Sequence, residues 1–325
     1  MAVADTEKFP YDFFAQGVNE MTATRALVIG YGSIGRRHDR LLRQLGLETA
    51  VVSGQQLDIL SYSNIKSALV GWQPDYAVVA SPTSRHAYDF AELRRAGFRG
   101  TILVEKPVVA STSEIIEDDA QLTYVGYNLR FLPTVARLKE LVCGQQVHAA
   151  SIRNAQFLPE WRPGRDYRTT SSAHRSTGGG VLRDLSHDLD LVDYLFGSIT
   201  SVFGLVGNFG SLEIETEDTA QLVATSDRCR CISIYLSYLD RQARHHISVA
   251  TSDDLIECNL LSGELLVNGR SEVFVQERDN TFLAMHEAAL QNDRRTICTL
   301  QEGMRTVRVI HASELSAKVR CLVAL

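Results

Sequence analysis

Three glycines constrain this chain more than any other feature. In "VIGYGSIGRRH", Gly30, Gly32 and Gly35 keep G-x-G-x-x-G spacing after the apolar run "RALVIG", and Ile34, His38, Leu41, Leu42 and Leu45 follow at helical intervals. The pattern predicts a buried strand that turns sharply into a helix. Gly30 permits the tight turn, Gly32 lets backbone approach a pyrophosphate, and Gly35 allows the helix to lie close on the strand. The helix start adds free N–H groups and the positive end of its dipole. Gly46 then stops the helix.

Strand and helix keep alternating through the first half. "ETAVVS", "DYAVVA", "TILVE" and "LTYVGYN" read as strands, and a helix spans about residues 84–96 before Gly97. This repetition predicts a Rossmann-type, doubly wound parallel sheet. After a helix near residues 133–142 the period changes. In "RCISIYLSY", Ile232, Ile234 and Leu236 share one face, and "RHHISVA", "DLIECNLL", "GELLVNG" and "SEVFVQE" follow at turn spacing. These runs predict a second α/β domain with a large, mostly antiparallel open sheet. Helices at about 280–292 and 303–320 close the chain and are placed to pack back on the first domain. The expected organisation is an N-terminal extension over 1–24, a dinucleotide-binding domain over 25–130 and a second domain over 131–325.

Composition narrows the function classes. The chain has 325 residues, 45% hydrophobic and 22% charged, with a formal net charge of −6. No broad basic surface is available for nucleic acid or an anionic membrane. No apolar run reaches the roughly 18 residues that span a bilayer. The first 21 residues, "MAVADTEKFPYDFFAQGVNEM", hold acidic groups and no apolar core segment, unlike a secretory signal. Six cysteines, at 143, 229, 231, 258, 298 and 321, form no C-x-x-C pair. That argues against a structural zinc site or a disulfide framework and for a reducing cytoplasm.

Two details bear on chemistry. The apolar strand "TILV" stops on Glu105, Lys106 and Pro107. Proline ends the ladder and keeps Lys106 out of helical backbone, so a lysine stands at a strand's carboxyl edge, where open α/β sheets bind ligands. The second detail is an absence. A ribose-binding acid is expected about 20 residues past the glycines, yet the second strand ends in Val52, Ser53, Gly54 and Gln55. Nothing there repels a 2′-phosphate, and Arg36 and Arg37 follow the cradle, so NADP is favoured over NAD.

The chain resembles the glucose–fructose oxidoreductase / inositol dehydrogenase / MocA family of NAD(P)-dependent oxidoreductases. The resemblance covers nearly everything after residue 24. It rests on "GYGSIG", "ASPTSRH" (80–86), "VEKP" (104–107), "VGYNLRF" (125–131) and "GGGVLRDLSHDLDLVDYLFG" (178–197), in that order and spacing. It implies cofactor contacts from Gly30, Gly32, Ser33, Ile34, Gly35, Ser53, Ser81, Pro82, Thr83, His86, Glu105 and Lys106. It further implies that Lys106 projects beside the nicotinamide, where an ammonium stabilises developing alkoxide charge. Homodimer or homotetramer contacts through the second-domain sheet are implied as well.

In inositol-dehydrogenase-like members an Asp and a His on the glycine-rich helix bind substrate, and the His acts as acid and base. His187 matches that histidine, and its type suits proton transfer near neutrality. Asp184 lies one residue closer to His187 than in those members; on a continuous helix the two would occupy neighbouring faces. Leu182, Leu185, Leu189, Val192 and Phe196 would then form the core stripe. A metal site from Asp184, His187 and Asp190 is not expected, since hydride transfer needs none.

Upstream, "LPEWRPGRDYRTTSSAHRSTGGG" gathers Trp161, Arg162, Arg165 and Tyr167, groups that stack on sugar or base faces and fork onto carboxylate or phosphate oxygens. Together with Asn128, Asp184 and His187 they are the expected substrate contacts. The loop is similar to that of members acting on surface-polysaccharide and acidic sugars. The expected activity is hydride transfer at a hydroxyl or keto carbon of a sugar, sugar acid or nucleotide sugar. The alternatives are a non-catalytic NAD(P)-binding sensor on the same fold and a reductase of imines or tetrapyrroles.

Overall fold

The structure is a computed structural model that describes residues 25–114, 116, 122–275 and 277–325. The expected extension over residues 1–24 lies outside the described residues.

Two sheets organise the molecule. The first comprises β1 (Arg25–Ile29), β2 (Glu48–Val52), β3 (Ser61–Tyr62), β4 (Tyr76–Val79), β5 (Thr101–Val104) and β6 (Thr123–Val125), with α1 (Ser33–Gln44), α2 (Ile65–Trp72) and α3 (His86–Arg95) between them. A late two-residue strand, β15 (Cys298–Thr299), completes the order β15-β6-β5-β4-β1-β2-β3. All its pairings are parallel except β15 with β6. From β1 the chain winds outward through β2 and β3, then returns to β4 and winds the other way. The strand order therefore reverses between β1 and β4, which opens a crevice at their carboxyl ends. These strands are apolar on both faces, and Leu27, Val28, Val78 and Leu103 are fully buried.

The second domain holds α4 (Pro133–Val142), β7 (Val147–Ala155), α5 (Val181–Asp184), α6 (His187–Phe196), β8 (Ile199–Gly207) and β9 (Thr219–Ser226). It continues with β10 (Ile232–Ser237), β11 (Arg244–Thr251), β12 (Leu255–Asn259), β13 (Glu264–Val267) and β14 (Arg270–Val273), and β16 (Val323–Ala324) joins at the far edge. The nine strands run β14-β13-β12-β11-β7-β10-β9-β8-β16, antiparallel apart from β10 with β7. Ile232, Ile234 and Leu236 point from β10 into a core shared with Leu138 of α4 and Leu189 and Val192 of α6.

Two helices late in the chain pack on the first sheet. α7 (Asn280–Leu290) lays Phe282, Leu283, Met285 and Ala289 on the face formed by Ala26, Val28, Val78 and Leu103. α8 (Leu300–Val319) starts with a capping box between Thr299 and Glu302 and touches both sheets, through β6 and β8. Gly303 makes the approach to β6 possible, because a Cβ there would stand 2.5 Å from Val125 Cγ2. No described helix is long and apolar enough to cross a membrane.

Candidate active site

The glycine cradle forms at the crevice. Gly30 has φ +93°, and a Cβ on it would sit 2.6 Å from Ser81 N. Gly35 lies so close to the first turn that a Cβ would meet Gly30 O at 2.0 Å. Gly32 is the opposite case: no atom lies within 4 Å of where its Cβ would be, so the space beside the start of α1 is open. No side chain caps that helix start and no acid occupies its first turn, in which Ser33 and Ile34 stand. Across the crevice, Ser81 Oγ is buried and has no hydrogen-bond partner among the described residues. Unclaimed N–H groups, an open approach and an orphaned hydroxyl suit a dinucleotide pyrophosphate. Pro82 and Thr83 follow, and Thr83 lies against Gly178 of the glycine run.

At the ribose end, Ser53 Oγ accepts from Gln55 N at 3.1 Å, and Arg36 Nη2 donates to Gln55 Oε1 at 3.4 Å. Arg37 is occupied elsewhere. Its guanidinium donates to Asp279 and to Arg278 O and lies 4.0 Å from the centre of the Phe282 ring. Of the two arginines after the cradle, Arg36 alone remains beside the end of β2.

Beyond β5, Glu105, Lys106 and Pro107 take three different positions. Lys106 is half-buried, and its Nζ donates to Asp184 O at 2.7 Å, which leaves two N–H directions for a ligand oxygen. Glu105 turns inward, where its Oε1 meets His38 Nε2 at 2.9 Å. Burial alone would raise the Glu105 pKa, but the hydrogen bond from His38 and the Lys106 charge hold it below the ordinary range. His86 also departs from its expected cofactor contact. It is fully buried, with its ring nitrogens 2.8 Å from Ser81 O and 3.1 Å from Pro107 O. His86 therefore fastens the Ser81 loop to the lysine turn, and Glu105 supports that turn from below.

The continuous helix expected through Asp184 and His187 is broken. α5 ends at Asp184, α6 begins at His187, and Leu185 between them leaves helical geometry with φ −98° and ψ 22°. Of the expected apolar stripe, Leu185 alone is only half-buried. The break turns Asp184 away from His187. Its carboxylate accepts from Tyr238 OH at 2.7 Å, while its carbonyl holds Lys106. The Tyr238 hydroxyl is pushed well above its usual pKa by burial, then by the Asp184 charge.

His187 is half-buried, and its Nδ1 is shielded with no hydrogen-bond partner among the described residues. The ring stands edge-on to Tyr127 with 5.5 Å between centroids. Burial first, then the charges of Lys106 and His245, lower its pKa well below the usual 6.5. The imidazole is thus neutral at physiological pH. The acids after it have other partners. Asp188 accepts from Asn154 at 2.7 Å and meets His245 Nε2 at 2.7 Å. Asp190 takes a two-pronged grip from Arg130 at 2.7 and 2.9 Å. No trio of His, Cys, Asp or Glu is arranged to hold a metal among the described residues.

Of the expected substrate contacts, Trp161 reaches the site through Tyr238, edge to face at 5.2 Å between centroids. Arg162 and Arg165 are exposed. Tyr167 accepts a hydrogen bond from Glu213 N at 3.3 Å, within the loop region. Asn128 is buried, and its amide donates to Thr281 Oγ1 on α7 at 2.7 Å, so it ties two elements together. Tyr238 and His245 were not expected. Tyr238 had a signal: it continues the 232, 234, 236 register by two residues, so it had to face the core at the end of β10. His245 had none, because its partner Asp188 lies 57 residues away.

Residues 136–257 match the family model described as the GFO/IDH/MocA C-terminal domain. No curated protein matches the chain in sequence. Among solved structures, levoglucosan dehydrogenase in complex with NADH and levoglucosan superposes with a TM-score of 0.80 at 15% identity, over 93% of this chain and 99% of that one. GenD2 from gentamicin A biosynthesis, in complex with NAD, gives 0.77 at 19% identity over 95% and 98%. WlbA dehydrogenase from Bordetella pertussis, in complex with NADH and UDP-GlcNAcA, gives 0.76 at 17% identity over 93% and 97%. At these identities the likeness is one of fold. The chain thus matches a GFO/IDH/MocA C-terminal domain over residues 136–257 and shares the fold of these solved dehydrogenases along most of its length.

Proposed function

We propose that this protein is an NAD(P)-dependent oxidoreductase that passes hydride between a nicotinamide and a hydroxyl or keto carbon of a sugar, sugar acid or nucleotide sugar. The observation that carries this reading is the meeting of Lys106 Nζ, held by Asp184 O, with a neutral His187 at the carboxyl edge of the parallel sheet. Bound with its pyrophosphate at Gly32, the dinucleotide supplies or accepts the hydride. The protein's own residues handle charge and proton. Lys106 donates to the substrate oxygen and stabilises alkoxide character there. His187 takes the hydroxyl proton in oxidation and returns it in reduction. Tyr238 keeps Asp184 an acceptor, and the Asp184 carbonyl aims Lys106.

Two of the solved structures named above support the substrate class, one holding levoglucosan and the other UDP-GlcNAcA. The exposed Arg162 and Arg165 beside the anchored Trp161 favour an acidic or phosphorylated sugar. Preference for NADP now rests on Arg36 alone, and the relatives carry NAD or NADH. Assembly through the second-domain sheet, to a dimer or tetramer, belongs to the same proposal.

The test is to titrate NADH and NADPH by fluorescence, then to assay sugars, sugar acids and nucleotide sugars. Lys106→Met should keep cofactor affinity and lose turnover by about 100-fold, the scale of one preorganised charge-stabilising donor. Wild-type turnover by the variant would remove Lys106 from the chemistry. Tight cofactor binding with no turnover on the whole panel would replace the enzyme by a sensor.

A further inference from the structure

Beneath Lys106 runs a chain of four buried polar groups from four elements. Glu105 Oε1 meets His38 Nε2 at 2.9 Å, His38 Nδ1 meets His286 Nε2 at 2.9 Å, and His286 Nδ1 meets Tyr76 OH at 2.9 Å. His38, His286 and Tyr76 are fully buried, in α1, α7 and β4. The two imidazoles and the phenol lie away from bulk solvent, so the hydrogens can be counted among the groups themselves. An ionised carboxylate only accepts, a neutral imidazole carries one N–H, and a tyrosine carries one O–H. Three donors must serve three contacts, and the acceptor-only end sets the direction. Tyr76 donates to His286, His286 Nε2–H to His38 Nδ1, and His38 Nε2–H to Glu105.

We propose that His38 and His286 are positioning residues for Lys106: they fix Glu105 as an aimed carboxylate under the lysine turn. Glu105 accepts from Lys106 N at 3.2 Å, and it fills the space that Gly126 leaves, where a Cβ would come within 2.9 Å of Glu105 Oε1. The carboxylate is thus pinned on two sides and sits one residue from the ammonium. The charged or titratable groups facing it are His38 from α1, Tyr76 from β4, His86 from α3 and Lys106 on its own turn. α7 takes part because its first turn is clamped at Asp279 by Arg37 and Arg40 and at Thr281 by Asn128. A helix nearly two hundred residues along the chain thereby helps to aim the lysine. This inference deepens the proposed role of Lys106 and rests on it for its meaning in catalysis.

The experiment is independent of any sugar substrate. Nitrogen-15 spectra of histidine-labelled protein should show His38 and His286 each carrying hydrogen on Nε2. His38→Leu leaves a buried carboxylate without its main donor, whereas His38→Gln keeps one donor and one acceptor in line. With acetic anhydride as probe and Lys66 and Lys318 as internal standards, Lys106 should acetylate about threefold faster in His38→Leu, the scale of one net hydrogen bond lost from the support of the lysine turn. His38→Gln should acetylate at the wild-type rate. The melting-temperature deficit of His38→Leu should shrink as pH falls from 7.5 to 5, because protonating Glu105 relieves the unpaired charge. Hydrogen on Nδ1 of His38, equal Lys106 rates in the Leu variant and wild type, or a deficit independent of pH would each overturn the proposal. None of these readouts depends on turnover, so loss of the oxidoreductase reading would appear separately, in the sugar assays.

Discussion

The two ends of the crevice are built by different means. At the end proposed to hold the phosphates the groups are backbone: N–H groups at the start of α1, the open flank of Gly32 and the tight contact of Gly35 with Gly30. At the end proposed to handle the proton they are side chains, Lys106, Asp184, His187 and Tyr238, brought in from β5, the α5–α6 break and β10. A backbone site needs only the absence of side chains at fixed offsets. A side-chain site needs distant elements to arrive in register, and its electrostatics come from burial that no short segment encodes. The first end should therefore fail all at once, and the second in graded steps.

The largest break is expected at the phosphate end. Gly32→Val should abolish binding of both NADH and NADPH while the protein stays folded, because the residue has an ordinary φ of −76° and no atom to clash with. Fluorescence titration beside a circular dichroism spectrum checks this. Retained affinity would mean that the open flank does not face the pyrophosphate.

A smaller effect is expected for His187→Ala, a loss of about 100- to 10,000-fold in turnover with cofactor affinity kept, the span of one positioned general base. The pH profile sharpens the test. Burial, then the Lys106 charge, depress the His187 pKa. The oxidation rate of the wild type should thus stay level through neutrality and fall only well below pH 6.5, as the imidazole takes up a proton. The variant should lack that acid limb. A wild-type midpoint near 6.5 would mean that burial does not set the imidazole.

The smallest is Tyr238→Phe. It removes the hydroxyl from Asp184 and should cost about tenfold in turnover, the scale of one hydrogen bond to a charged group, about 1.5 kcal/mol. Steady-state rates with saturating cofactor would measure it. A loss as large as that of His187→Ala would make Tyr238 a proton carrier instead of a support.

The same contrast explains what could be read in advance. Every strand of the first sheet from β1 to β6 except the two-residue β3 was visible as an apolar run bounded by turns, and both closing helices had clear periodicity. β7, β8 and β9 were not singled out, because "VHAASIRNA" and "ITSVFGLVG" mix small and polar residues on a half-exposed sheet. The residues 181–196 looked like one helix because the pattern of leucines stays helical across the break, and the pattern cannot register a change in backbone at Leu185. Glu105 and His86 sat in motifs that border a cofactor, but their side chains turn inward, and only tertiary contacts reveal the direction. Asp188 and Asp190 are charged residues in a helix, a pattern that predicts solvent exposure, whereas contacts with His245 and Arg130 bury them.

The late return of α7 and β15 to the first sheet also governs the order of events during synthesis. A ribosome releases the strands β1 to β6 long before residues 280–299 exist. In that interval Ala26, Val28, Val78 and Leu103 have no cover from Met285 and Ala289, and β6 presents a bare edge where β15 will lie. The nascent first sheet must wait, aggregation-prone, until residues 280–299 have emerged. A gene fragment ending at residue 130 therefore encodes a cradle without its lid of apolar cover. Fusions or truncations near the carboxyl terminus strike the domain at the opposite end of the map.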